Sequence, residues 1–271
     1  MKRDVSTDGR ARVTPARQGE SVYDFLLRTA RKRGAAFVVL VDPDRLDVDS
    51  LPAFCERCAE AGVDAFFVGS SILRRADFDH FCVHLRKSTT VPTIGFPGSI
   101  AQVSSELDAI LFLSIVSGRN AEYLFGQHVH AAPVIRRLGV EAIPTAYMLV
   151  ESGATTTAQY MSHSLPLPAN KPDVAAATAL AAEMLGMRML FTDAGSGAPS
   201  PVPIEIIRAI SETCTSPIVV GGGLRTPEAV RERAEAGASV IVIGNAVEHR
   251  SDVGYLTELG FAAHVAQARR G

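Results

Sequence analysis

Eight short apolar runs rich in β-branched residues recur along the 271-residue chain, most of them ending in Gly, Asp, Ser or Asn. They are Phe37 to Asp42, Ala65 to Ser70, Thr93 to Gly98, Ala109 to Ile115, Ile143 to Val150, Met189 to Gly195, Pro217 to Gly223 and Val240 to Asn245. Between most of them lie segments with helical apolar spacing: Leu51 to Ala61, Phe78 to Lys87, Ala121 to Leu138, Pro172 to Leu185, Ile204 to Thr213 and Pro227 to Ala236. Near-continuous apolar strands alternating with amphipathic helices predict a parallel sheet buried on both faces, and eight such units predict a closed α/β barrel of the (β/α)8 TIM type. One connection departs from that rhythm. Only the ten residues "SIAQVSSELD" separate Gly98 from Ala109, fewer than the dozen or so that a helical crossover takes. The third helix is therefore expected to be short or missing. Glu151 to Lys171 is the opposite case, a long connection of the kind that carries function or moves.

Composition agrees with one large domain: 47% of residues are hydrophobic and 21% charged, in a length range usual for a single α/β barrel. The first twenty residues are polar and basic and have no apolar h-region, so they read as neither a secretory signal nor a core element. The expected organisation is a disordered tail over 1–20 and a single barrel domain over 21–271. No apolar run approaches the roughly 20 residues of a membrane span. A formal net charge of −2 gives no long-range attraction to nucleic acid. Four cysteines fit a reducing cytoplasm better than a disulfide framework. Cys55 and Cys58 share a helix face, as do His80 and His84, and both pairs read as packing or surface residues, since neither has further ligands in view.

In such a barrel the chemistry gathers where the strands end. The stretch "SPIVVGGGLRTPEAV", Ser216 to Val230, runs from a strand through three glycines into the helix start Thr226-Pro227. Glycines let backbone N–H groups approach an anion closely, and the next helix adds the positive end of its dipole. The eighth run ends similarly in Gly244-Asn245, so Gly222, Gly223, Gly244 and Asn245 are expected to seat a phosphate monoester. The first run ends in "VDPDR". Asp42, held extended by Pro43, is the candidate Mg²⁺ ligand in preference to Asp44, with Ser70 or Ser71 of "GSS" as a hydroxyl donor nearby. The sixth run ends in "TDAGSGAP", which places the carboxylate of Asp193 beside a second glycine loop, where it suits an alcohol substrate that also carries phosphate.

Taken together, "LVDPDR", "VGSS", "FPGSIAQVSSELDAILFLSIVSGRN", "RRLGVEAIPTAYMLVE", "TDAGSGAP", "VVGGGLRTPE" and "VIGNAVE" resemble the geranylgeranylglyceryl phosphate synthase family over about residues 35 to 250. The resemblance implies a modified barrel that lacks the third helix. It also implies transfer of a prenyl group, geranylgeranyl by the family's name, from a prenyl diphosphate to the C3 hydroxyl of sn-glycerol 1-phosphate, releasing diphosphate in ether-lipid and phospholipid biosynthesis. By motif position it gives Asp42 and Ser71 to Mg²⁺, and Phe191, Thr192, Asp193, Ala194, Gly195, Ser196, Gly197, Gly222, Gly223, Gly244 and Asn245 to glycerol phosphate; the carboxylate of Asp193, read from its place at the strand end, is the catalytic candidate that takes the hydroxyl proton. It further implies a homo-oligomer, dimeric or larger. Where relatives read Tyr-Leu-Glu, this chain has Phe191-Thr192-Asp193, losing a hydroxyl and a methylene. Phe96, Ile100, Phe112, Tyr147 and Tyr160 are candidates, by placement, for a groove holding the prenyl tail.

Two other readings stay open on the residues alone. Paired glycine ends at strands seven and eight also suit a phosphosugar isomerase or lyase, although no lysine ends a strand as a Schiff-base aldolase requires. The altered sixth motif also allows a non-catalytic barrel that binds glycerol phosphate.

Overall fold

The computed structural model describes residues 19–74, 77–244 and 252–264. Eight parallel strands close into a barrel in chain order: β1 (Ala36–Val41), β2 (Ala65–Val68), β3 (Thr93–Gly95), β4 (Ala109–Ile115), β5 (Glu141–Leu149), β6 (Met189–Asp193), β7 (Ile218–Gly221) and β8 (Ala238–Ile243), the last pairing with the first. The expected strands are all present, most ending one to three residues early. At the seventh the reason is local: Gly222 and Gly223 take φ of +78° and +70°, a conformation that leaves the ladder and that only glycine adopts cheaply.

The period of two divides the strand residues between two cores. Ala36, Val38, Phe67, Ile94, Leu111, Tyr147, Phe191, Val219 and Val240 fill the barrel interior. Phe37, Val39, Phe66, Leu190, Val220 and Ile241 pack outward under the helices. Those helices are α1 (Val22–Arg33), α2 (Leu51–Glu60), α3 (Phe78–Ser88), α4 (Gln127–Leu138), α5 (Thr157–Ser162), α6 (Pro172–Met184), α7 (Ile204–Thr213), α8 (Pro227–Ala236) and α9 (Val253–His264). Between β3 and β4 only a single 3-10 turn, Ile100–Gln102, appears, so the missing third helix is observed. No described helix is long and apolar enough to cross a membrane.

The structure departs from expectation in its helices. The helix read over Ala121 to Leu138 begins as a π-turn, Glu122–Gly126, and becomes α-helical only at Gln127. Three helices, α1, α5 and α9, have no counterpart in the sequence reading. Of the expected tail, residues 1–18 lie outside the described residues, while the Glu20 carboxylate accepts two hydrogen bonds from Arg28, both 2.8 Å. Helix α1 closes the N-terminal end of the barrel, with Val22 and Leu26 joining the interior core. Its start is fixed twice, by Ser21 accepting from Asp24 N–H at 3.0 Å and by Glu141, at the foot of β5, accepting from Val22 and Tyr23 N–H at 2.6 and 3.1 Å. A carboxylate there meets the unpaired N–H groups and the positive end of the helix dipole.

The cysteines and histidines singled out in the sequence sit in the helical layer. Cys55, Cys58 and Cys82 are buried thiols outside any disulfide. Burial pushes both Cys58 and Cys82 up to about 12, which keeps them protonated and unreactive. The His80 and His84 rings lie 4.3 Å apart on α3, tilted by 50°, with the His84 Nδ1 2.9 Å from the His80 carbonyl oxygen.

Candidate active site at the C-terminal mouth of the barrel

The period that sorts the core also aims the site. Counting by twos from Ala36, Val38 and Leu40 brings Asp42 to the interior face at the top of β1, and Met189 and Phe191 lead likewise to Asp193 on β6. Both acids line one cavity of about 490 Å³, together with Ser70, Ser71, Gly222, Gly223 and Gly244. Its floor is an aromatic layer. Phe96 stacks on Phe191 at 5.3 Å, Tyr147 meets Phe191 edge-on at 5.2 Å, and Phe67 lies 6.2 Å from Phe191. A second wing of the cavity runs over the outer face of β4, where no helix follows β3. Val103, Ile110, Phe112, Ala131 and Ile135 line it.

Asp193 is the most constrained acid in the cavity. It is 7% exposed; Oδ1 accepts from Gly195 N–H at 2.7 Å and Oδ2 from the Tyr147 hydroxyl. Burial raises its pKa above the usual carboxylate value, against the pull of those two hydrogen bonds. Burial, with the neighbouring carboxylate, also pushes the Tyr147 hydroxyl well up. Each carboxylate oxygen keeps a second lone pair, so the acid can still accept from a substrate hydroxyl.

At the top of β1, Asp42 accepts from Asp44 N–H at 2.9 Å and from the Ser70 hydroxyl at 3.1 Å, with the Arg45 guanidinium 3.5 Å away. Asp44 also lines the cavity, but its Oδ2 accepts from Arg74 N–H at 2.6 Å. Asp42, Ser70 and Ser71 thus offer a carboxylate and hydroxyl oxygens to the cavity, the hard donor chemistry that suits Mg²⁺.

The two glycine loops interlock. A Cβ on Gly222 would stand 2.5 Å from Asp193 Oδ1 and 2.6 Å from Gly195 N, and one on Gly223 would stand 2.7 Å from the Ser200 backbone. Thr226 caps α8 by accepting from Ala229 N–H at 3.2 Å, and Pro227 occupies the first turn. Of the segment named from the sequence, Phe191, Asp193, Ser196 and Gly197 line the cavity. Thr192 instead donates to the Val219 carbonyl at 3.2 Å, Ala194 packs outward, and Gly195 acts through its N–H on Asp193. Asn245 lies outside the described residues. Among the groove candidates, Phe96, Ile100, Phe112 and Tyr147 line the cavity. Tyr160 does not: it is 70% exposed, because α5 turns Thr157, Ala158 and Met161 inward instead. The sequence reading missed the contact between Tyr147 and Asp193. Adjacent strands β5 and β6 pair Tyr147 with Phe191, and that register is the signal that places Tyr147 near the next inward residue.

Comparison with known proteins follows the same lines. The PcrB family profile matches residues 28–259. A geranylgeranylglyceryl phosphate synthase of Spirosoma linguale is 46% identical over 218 residues, 80% of this chain and 88% of the relative. One of Korarchaeum cryptofilum is 43% identical over 225 residues, 83% and 92% of the two chains. Among solved structures, the (S)-3-O-geranylgeranylglyceryl phosphate synthase of Thermoplasma acidophilum, in complex with sn-glycerol-1-phosphate, superposes with a TM-score of 0.85 at 30% identity, covering 90% of this chain and 98% of that one. A thiamine phosphate pyrophosphorylase from Pyrococcus furiosus reaches a TM-score of 0.56 at 16% identity, covering 87% and 98% of the two chains, a likeness of fold alone. A family profile over most of the sequence and relatives of this identity, added to the missing third helix, establish that the chain belongs to the PcrB family.

Proposed function

We propose that this chain is a prenyltransferase that joins a prenyl diphosphate, geranylgeranyl diphosphate by likeness to its relatives, to the C3 hydroxyl of sn-glycerol 1-phosphate and releases diphosphate. The observation that carries the reading is the shape of the cavity. One space holds a buried carboxylate, two interlocked glycine loops and an apolar wing, which are the parts needed by a hydroxyl, a phosphate and an isoprenoid tail. The relatives named for this activity support it, as does the sn-glycerol-1-phosphate in the Thermoplasma acidophilum complex.

In this reading the loop residues Ser196 and Gly197, with Gly222, Gly223 and Gly244, hold the phosphate through backbone N–H groups and orient the glycerol. The C3 oxygen bonds to C1 of the prenyl chain as the bond from C1 to the diphosphate oxygen breaks. Asp193 takes the hydroxyl proton, helped by the raised basicity that burial gives it. Tyr147 holds Oδ2 of that carboxylate in place. The aromatic floor excludes water from the electron-poor carbon. Asp42, with the hydroxyl of Ser71 or Ser70, would hold Mg²⁺, which when bound neutralises charge on the leaving diphosphate. The enzyme works as a homo-oligomer.

The test is direct. Purified protein is incubated with labelled sn-glycerol 1-phosphate, geranylgeranyl diphosphate and Mg²⁺, and the organic phase is assayed for prenylglyceryl phosphate. Label should enter that phase only with Mg²⁺ present, and a series of shorter diphosphates reads the tail wing. Binding of glycerol phosphate without any transfer would overturn the enzymatic reading in favour of a binding barrel.

A further inference from the structure

Arg225 lies two residues after Gly223 in the β7 to α8 turn, and its side chain leaves that turn to reach back over the neighbouring one. Its guanidinium donates to three successive carbonyls of the β6 to α7 loop: Gly197 at 3.4 Å, Ala198 at 2.7 Å and Pro199 at 3.3 Å. Its own carbonyl accepts from the Tyr255 hydroxyl at 2.9 Å, which ties the turn to α9. Arg225 also borders the cavity.

We infer that Arg225 is a positioning residue, a clip that holds the β6 to α7 loop against the β7 to α8 turn and so sets the spacing of the backbone N–H groups offered to the acceptor's phosphate. This rests on the reading of those loops as the phosphate seat. Three observations carry it. The loops approach closely, since a Cβ on Gly222 would strike the Asp193 carboxylate and the Gly195 backbone, and one on Gly223 the Ser200 backbone; glycine loops in such contact have few side chains of their own to fix the distance. Gly195 and Gly197 take φ of +94° and +74°, so the loop bends where its backbone is least restricted. Finally, a planar fork of N–H donors can span adjacent carbonyls, whereas the single ammonium of lysine cannot hold all three. The guanidinium thereby spends its donors on carbonyl oxygens, leaving the backbone to meet the anion.

The test compares Arg225→Lys and Arg225→Met with the parent, after circular dichroism shows all three folded. Hydrogen exchange is followed by mass spectrometry in the peptide over residues 194–202, whose Gly195 and Ala198 amides are bonded within the loop. Both variants should exchange about tenfold faster there, the scale of losing a hydrogen bond or two. By calorimetry both should bind sn-glycerol 1-phosphate about tenfold more weakly and by similar factors, while KM for the prenyl diphosphate stays unchanged. Unchanged exchange in this peptide overturns the clip whatever the ligand does. Near-parental affinity in the lysine variant with loss in the methionine variant also overturns it, because a direct charge contact with the phosphate would then be at work. A parent that fails to bind glycerol phosphate defeats the functional reading, and the exchange result still decides the clip.

Discussion

Asp193 shows how one residue acquires a task from its surroundings. Burial raises its pKa above the ordinary 3.8, so folding favours the protonated acid. That contribution to stability is fully present below the unfolded value and is lost as pH rises through the raised one. Catalysis needs the opposite form. kcat should therefore climb with pH across an acid limb displaced above 3.8, a profile that steady-state assays read. Asp193→Asn should flatten that limb and lower kcat about 10²- to 10⁴-fold, the usual range for a general base. Asp193→Glu should also lose activity, because Tyr147 and the Gly195 N–H already occupy the carboxylate and Gly222 closes one side. Parental rates in the asparagine variant would leave Asp193 as a loop former. Asp42 answers to a separate assay. Asp42→Asn should abolish Mg²⁺-dependent turnover while calorimetry finds glycerol phosphate affinity nearly intact, since Asp42 follows β1 and the glycine loops follow β6 and β7.

At the scale of elements, the turn after β7 is where sequence and structure agree most closely. Gly223→Val places a β-branched residue at φ +70° with its Cβ 2.7 Å from the Ser200 backbone, so both loops must shift. Calorimetry should find sn-glycerol 1-phosphate binding strongly weakened in a barrel that still folds; an unchanged dissociation constant would remove this turn from the site. The turn was legible because glycine there follows from local sterics, and the strands were legible because their apolar runs are buried on both faces. Helices α1, α5 and α9 were not read. The signals of α1 were available, Ser21 as cap with Val22, Leu26 and Ala30 buried along one face, but they follow directly on a polar, basic tail. The π-turn before α4 depends on tertiary partners: the Ser114 hydroxyl donates to the Leu124 carbonyl at 3.0 Å and sits 3.2 Å from His128 Nε2. No helical period encodes that. Tyr147 was visible as an aromatic at a strand end, but its hold on Asp193 needed the register of β5 against β6.

For the whole molecule, the barrel separates the end that works from the end that holds. Phe125, Tyr160, Leu165, Met184, Leu185 and Phe261 are each more than 60% exposed, apolar area of the kind that subunit contacts cover. Light scattering at micromolar concentration should report a dimer or larger assembly, and a monomer would contradict it. At the opposite end a buried carboxylate ties three elements together. Asp64, 6% exposed, accepts from Arg33 at 2.6 Å and from Phe37 N–H at 2.8 Å, with His264 Nε2 2.9 Å away, joining α1, β1 and α9 below β2. Asp64→Ala would leave the Phe37 N–H and a half-covered guanidinium without that partner. Breaking such a pair costs about 3–5 kcal/mol when fully buried, and less here because 43% of the Arg33 side chain is exposed. A cost of about 2–3 kcal/mol in a domain of this size lowers the melting temperature by roughly 5–10 °C. Because the strands separate this cluster from the mouth, glycerol phosphate affinity measured well below the melt should not change. A variant that melts normally would show that the clasp adds no net stability, and one that melts normally but binds weakly would show that the two ends are coupled through the barrel.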